Sequence, residues 1–223
     1  LLVVLVVVPV ITLFLRTLEE EGVWADVVAG RVSENLLWIP LRNSLAVGIG
    51  TTVGAVLIGA FLAWAVVMTD MRFKKLVGVL AMIPFALPSF SMALAWESVF
   101  RNDLVGGRSG ILENLGLAVP DWLAWGYVPV TATLIGHYFS LSFAVIAAAL
   151  ATVNGELLEA GEMAGASRAL VARSIALPIV TPALISASLL TFAEGISNFA
   201  TPALLGLPVR FQTLSTRIYG TIN

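Results

Sequence analysis

Few side chains in these 223 residues could carry chemistry, and their spacing narrows what that chemistry is. His137 is the only histidine and cysteine is absent, so neither a multi-histidine nor a thiolate metal site can be assembled from them. Lys74 and Lys75 are the only lysines and neither follows a glycine, so the Gly-Lys-Ser/Thr loop that cradles nucleotide phosphates is missing. Gly107-Arg108-Ser109-Gly110 has the form of a serine nucleophile turn, with His137 as its one possible base. Ser109 lies in a polar stretch beside Asp103 and Arg108, however, and His137 follows on the next apolar run, so proteolysis is the weaker reading. Glu194, Ser197 and Asn198 cluster near the end of another apolar run. An ionisable group there is costly and faces a cavity or a partner, which suits a solute pathway or a structural hydrogen bond. Glu156 and Glu159 sit in a polar segment between two apolar runs.

The elements that must position these groups are membrane helices. Hydrophobic residues make up 59% of the chain, charged ones 12%, and mean hydropathy is +0.97, whereas soluble domains are about a quarter charged. A net charge of −2 argues against nucleic acid as a partner. Crossing roughly 30 Å of hydrocarbon takes about 20 residues. Such runs predict spans near 1–18, 43–69, 76–99, 129–151 and 178–199, joined by polar segments at 19–42, 70–75, 100–128 and 152–177 and followed by a loop at 200–223. The fold class expected is an all-α polytopic bundle of about five spans in a single transmembrane domain.

Smaller features fit that frame. Trp24, Val27, Val28, Val32 and Leu36 recur at helical spacing, as for a helix in the headgroup layer, and Trp122, Trp125 and Tyr127 suit an aromatic belt. Pro84 and Pro88 must interrupt the third span, either lining a gate or shaping the packing. Gly50 and Gly54 offer a close-packing face, and His137 reads as a packed core residue.

The segment 152–177 has a local logic of its own. Asn154 can cap a helix whose first turns hold Glu156 and Glu159, where carboxylates are favoured. Gly165 can end that helix in the left-handed conformation, and Ser167 can cap a second helix running towards Pro178. The result is a short helix–turn–helix, of the kind that docks into a groove.

Glu159-Ala160-Gly161, Gly165, Ile175, Leu177 and Pro178 together resemble the EAA loop of permease subunits of binding-protein-dependent ABC importers, E-A-A-x(3)-G-x(9)-I-x-L-P. Only the third position departs, with Gly161 in place of alanine, a change that loosens an isolated helix by about 1 kcal/mol. Asn43-Ser44-Leu45, Ala63-Trp64, Thr69-Asp70, Pro84–Ser89, Ala95-Trp96, Asn198–Gly206 and Leu214–Tyr219 extend the resemblance over most of the chain, nearest the branch serving ferric iron, polyamines, thiamine and phosphonates.

The resemblance implies a cytoplasmic coupling helix that contacts an ATPase through Glu156, Glu159, Ala160, Gly161, Gly165, Ala166, Ser167, Ile175, Leu177 and Pro178. It implies a translocation pathway involving Pro84, Pro88, Glu194, Ser197 and Asn198. The chain would bind no cofactor and no metal and would not itself be an enzyme, since ATP and magnesium would sit on separate ATPase subunits. The implied partners are those ATPases, a second permease half, a periplasmic or tethered solute-binding protein, and the lipid of a bacterial inner membrane. In that family a further span follows the tail, so the chain reads as a fragment.

Orientation rests on the same loop. Counted by side, basic residues give the positive-inside rule no majority for a cytoplasmic loop, although Arg72, Lys74 and Lys75 are dense within one short turn. The resemblance decides, because the EAA-like loop must face the ATPase. The expected function is movement of a small solute, with ferric iron favoured. A secondary transporter or channel, or a rhomboid-like protease, is the alternative. Against a carrier stands the scarcity of ionisable groups in the spans other than Glu194.

Overall fold

A computed structural model describes residues 33–222 together with Val8, Ile11, Thr12 and Leu15. The expected first span over 1–18 and the interfacial helix built on Trp24, Val27, Val28 and Val32 lie largely outside the described residues. The described residues are mostly helical, with no strand among them.

In chain order the helices are α1 (Ile39–Met68), α2 (Lys74–Ala86), α3 (Ser89–Phe100), α4 (Ile111–Asn114), α5 (Asp121–Ala124) and α6 (Tyr127–Leu150). They continue with α7 (Gly155–Met163), α8 (Arg168–Val171), α9 (Leu177–Ser197), α10 (Ala200–Leu205) and α11 (Leu214–Ile222). Among the described residues, the stretches Glu34–Met68, Asp121–Leu150 and Ala172–Ser197 are each long and apolar enough to cross a membrane. Large apolar side chains such as Leu57, Phe61, Val79 and Leu189 stay exposed along the helices, as lipid contact requires.

The expected third span is not one helix. The pair α2 and α3 is bent by 94° at Leu87–Pro88, a broken span or a re-entrant loop. Both break residues have extended backbone, with ψ near 140°. Pro88 has no N–H to donate to the carbonyl of Pro84, one turn earlier. Pro84 itself stays inside α2, so the break belongs to Pro88.

Two further boundaries differ from expectation for one shared reason. Helix begins at Glu34 rather than near residue 43, and 172–197 is a continuous run into α9. Each starts with a π turn, Glu34–Trp38 and Ala172–Ala176, that ends two residues before a proline, Pro40 or Pro178. The carbonyl four residues before each proline, at Leu36 or Ser174, cannot receive its usual N–H and falls inside the wider π winding. The tail at 200–223 is not a loop either: it carries α10 and α11, tied to α1 where Asn43 donates to the Gln212 carbonyl (2.9 Å) and Ser44 accepts from the Leu214 amide (2.8 Å).

The core forms where α1, α6 and α9 meet. Glycines let α1 approach closely. A Cβ at Gly54 would fall 2.3 Å from Ile135 Cδ1, and one at Gly59 would fall 2.7 Å from the Phe143 backbone nitrogen. The expected close-packing face at Gly50 and Gly54 is therefore real, and it extends to Gly48 and Gly59. Between α6 and α9, Ser142 and Thr191 share a buried hydrogen bond of 3.0 Å.

The segment 101–126 folds as a small polar lobe. Asn102 donates to the Val119 carbonyl (3.1 Å) and to Asp121 (2.7 Å), and it accepts from the Trp125 indole (2.8 Å). Trp125 is thus buried in this lobe rather than part of a membrane belt, while Trp122 is exposed. Glu97 pairs with Arg101.

Candidate functional site

The coupling segment folds as its residues dictate. Asn154 Oδ1 accepts from the Glu156 amide at 2.9 Å, capping α7. Gly165 takes φ +90°, and the Ala166 amide donates back to the Gly161 carbonyl at 3.2 Å, the long bond of a Schellman ending. Ser167 Oγ then accepts from the Leu170 amide at 3.3 Å, capping α8. The chain passes through the π turn into α9, with Ile175 half-buried and Leu177 and Pro178 exposed at the start of that helix.

Gly161 faces this second limb. A Cβ on it would meet Val171 Cγ2 at 3.0 Å and Ile175 Cδ1 at 3.3 Å. The residue that departs from the usual pattern is therefore the point where α7 rests on the base of α9. Glu156, Glu159 and Ala160 are exposed on α7, and Leu157 and Met163 add exposed apolar surface, Met163 at 83%. Glu159 lines a cleft of about 900 Å³ together with Trp64, Met68, Thr69, Asp70 and Met71. The cleft brings the turn after α1 and the coupling segment to one end of the bundle. Beside it Arg72, Lys74 and Lys75 are exposed, and the Arg72 guanidinium lies 5.4 Å from the centre of the Phe73 ring.

The pathway candidates divide. Pro88, Glu194 and Ser197 are exposed on the single chain, and the Ser197 hydroxyl bonds its own helix at the Ala193 carbonyl (2.7 Å). Asn198 is instead a junction. Its Nδ2 donates to Ser89 Oγ (3.0 Å) and Tyr138 Oη (3.1 Å), and its Oδ1 accepts from the Thr201 amide (3.1 Å). Tyr138 Oη in turn reaches the Glu194 carbonyl (3.4 Å), and Ser215 donates to the Asn198 carbonyl (2.9 Å). Sequence reasoning missed Tyr138 and Ser215; a tyrosine directly after the sole histidine of an apolar run was the available signal.

The protease constellation is not assembled. Ser109 donates to Asp103 at 2.9 Å, while the buried His137 ring lies against Phe85 and Tyr138 at centroid distances of 6.3 and 4.7 Å. No cluster of potential metal ligands exists among the described residues.

Residues 55–222 match the family described as binding-protein-dependent transport system inner membrane component. The chain belongs to that family. This family member is similar to the inner membrane ABC transporter permease protein YcjO of Escherichia coli K12, 26% identical over 181 residues that cover 77% of this chain and 55% of YcjO. It is 27% identical to the putative ferric transport system permease protein FbpB 1 of Haemophilus influenzae, over 63% of this chain and 22% of that one. It is 23% identical to the probable sulfate transport system permease protein cysT of Chlorokybus atmophyticus, over 96% of this chain and 72% of that one. The chain spans about half the length of YcjO and less of FbpB 1. Its fold matches the crystal structure of an amino acid ABC transporter with histidines, with TM-score 0.55 and 18% identity over 84% of this chain and 78% of that one. As a member of this family the chain is a multi-pass membrane permease component.

Proposed function

We propose that this chain forms one half of the transmembrane pore of an ATP-driven importer in a bacterial inner membrane. A second permease half, two ATPase subunits and a solute-binding protein would complete it. The observation that carries the reading is the capped α7–Gly165–α8 hairpin, seated through Gly161 on the base of α9 and presenting Glu159 at an open cleft. A protruding helix continuous with a span is what can turn closure of an ATPase into movement of that span.

The chain itself carries no nucleotide-binding loop, so hydrolysis belongs to the partner. Glu159, Ala160, Gly161, Gly165, Ala166 and Ser167 form the contact, and Ile175, Leu177 and Pro178 carry the push into α9. Pro84, Pro88, Glu194, Ser197 and Asn198 border the pathway, with Glu194 covered by the second half. For the solute, ferric iron is the first candidate, supported by the ferric permease relative; the sulfate relative makes that anion the competing outcome. Proteoliposomes holding the permease, its ATPase and its binding protein test the reading with radiolabelled ferric iron and sulfate. Uptake that requires internal ATP supports it, and the solute taken up decides between them. Uptake driven by an ion gradient without ATP overturns it.

A further inference from the structure

Two helix breaks meet in this fold. One is the extended turn Leu87–Pro88 between α2 and α3, and the other is the end of α9 at Asn198, where ψ is 123°. Through the first, α3 has no helical continuity with α2, so its position depends on its neighbours α6 and α10 and on the residue that holds its first turn. That residue is Asn198, bonded to Ser89 Oγ at 3.0 Å.

Asn198 has no spare bonding capacity on the side of its donors. Both protons of its amide nitrogen have acceptors, Ser89 and Tyr138, and its oxygen caps α10 at the Thr201 amide. Its backbone amide also closes α9 on the Glu194 carbonyl at 3.0 Å. One residue therefore ends a membrane helix with its backbone, and with its side chain starts the next helix and anchors a third, all next to Tyr138 of α6. At the opposite end α9 is continuous with the π turn whose Ile175, with Val171 just before it, supports Gly161 of α7. A helix of 21 residues spans roughly 30 Å, so α9 reaches from the coupling end to the two breaks as one unbroken helix, with Pro182 inside it.

We infer that Asn198 is a positioning joint: it makes α3 follow α9, so that a displacement applied at α7 moves the freed half-helix. The inference rests on the ATP-driven reading and adds to it the element that moves and the contact that moves it. Ser89 is the complementary half of the joint, and Tyr138 holds Asn198 to α6.

The test uses the intact complex of permease and ATPase in lipid nanodiscs, with MgATP and orthovanadate as the probe. The described chain has no native cysteine, so Leu94→Cys on α3, exposed beside the polar lobe, serves as a single reporter for maleimide labelling. In the parent the labelling rate should change several-fold on vanadate trapping. Asn198→Asp keeps an acceptor for the Thr201 amide but loses both donors, and Ser89→Ala removes one hydroxyl with little risk to folding. Each should lose most of that change, and Ser89→Ala should do so while ATP hydrolysis and recovery of the complex persist. Retention of the parental change by either variant overturns the joint. A parent whose labelling never responds to trapped nucleotide overturns the ATP-driven reading and the joint with it.

Discussion

Gly161 and Val171 touch across the coupling hairpin: a Cβ on the glycine would come within 3.0 Å of Val171 Cγ2, and Val171 is buried at 4% exposure. Two effects of alanine at 161 then oppose each other. Helix propensity favours it by about 1 kcal/mol, and overpacking against the valine costs about 1–3 kcal/mol. Gly161→Ala should leave thermal stability within about 1–2 kcal/mol of the parent on that balance, yet tilt α7 and lower ATP hydrolysis coupled to transport. Val171→Ala on top of it should restore coupling. Coupled hydrolysis that is unchanged in Gly161→Ala would show that the seat does not set the geometry of α7.

Glu159 and Glu156 lie on the same short helix with different surroundings. Glu159 opens onto the cleft shared with Asp70, while Glu156 belongs to the Asn154 cap. Glu159→Lys should abolish stimulated ATP hydrolysis and weaken recovery of the ATPase, because breaking a desolvated charge pair costs about 2–5 kcal/mol. Glu156→Lys loses a favourable interaction at a helix start, worth about 0.3–1 kcal/mol, and should be milder. Co-purification of the ATPase with each variant measures the difference; equal retention would refute the assignment of Glu159.

Lys75 and Ser167 should lie on one side of the membrane, since their segments border the same end of the bundle. Cysteine placed at either position should resist an impermeant maleimide in intact cells and react after permeabilisation. Labelling of both from outside would invert the topology and remove the ATPase contact.

Gly59 and Gly54 both lie under α6, against unlike neighbours. The added Cβ meets backbone at Phe143 in one case and the tip of the Ile135 side chain in the other. Backbone cannot swing aside, so Gly59→Ala should destabilise by the 1–3 kcal/mol typical of overpacking, and Gly54→Ala by less. Thermal unfolding in detergent ranks the two, and a larger loss at Gly54 would contradict the packing described.

Local chemistry was legible in the sequence wherever it acts over a few residues. The Asn154 cap, the left-handed Gly165 and the Ser167 cap could each be read from residue type and spacing, because each is satisfied within its own turn. Pro84 and Pro88 announced a disturbance of the third span but not its size. Pro88 breaks its span by 94°, whereas Pro40 and Pro178 follow π turns, and at the break Ser89 is held by Asn198 from a distant part of the chain. The role of Asn198 could not be read locally, since its partners Ser89 and Tyr138 come from distant parts of the chain. Trp125 was misplaced for a similar reason: its indole is satisfied by Asn102, which draws it out of the belt its spacing suggested.

The bend at Leu87–Pro88 also bears on how the protein is made. Non-helical backbone at membrane depth is tolerated only where other protein covers it, and the groups that tie down this break lie on α6 and at Asn198. Asn198 follows Ser89 by 109 residues. At a synthesis rate of about 5–20 residues per second, α2 and α3 wait on the order of 5–20 s for it after leaving the ribosome. Until then the pair has no stable seat in lipid. The expected consequence is that the pair is sheltered by the insertion machinery or stays at the interface until α9 arrives.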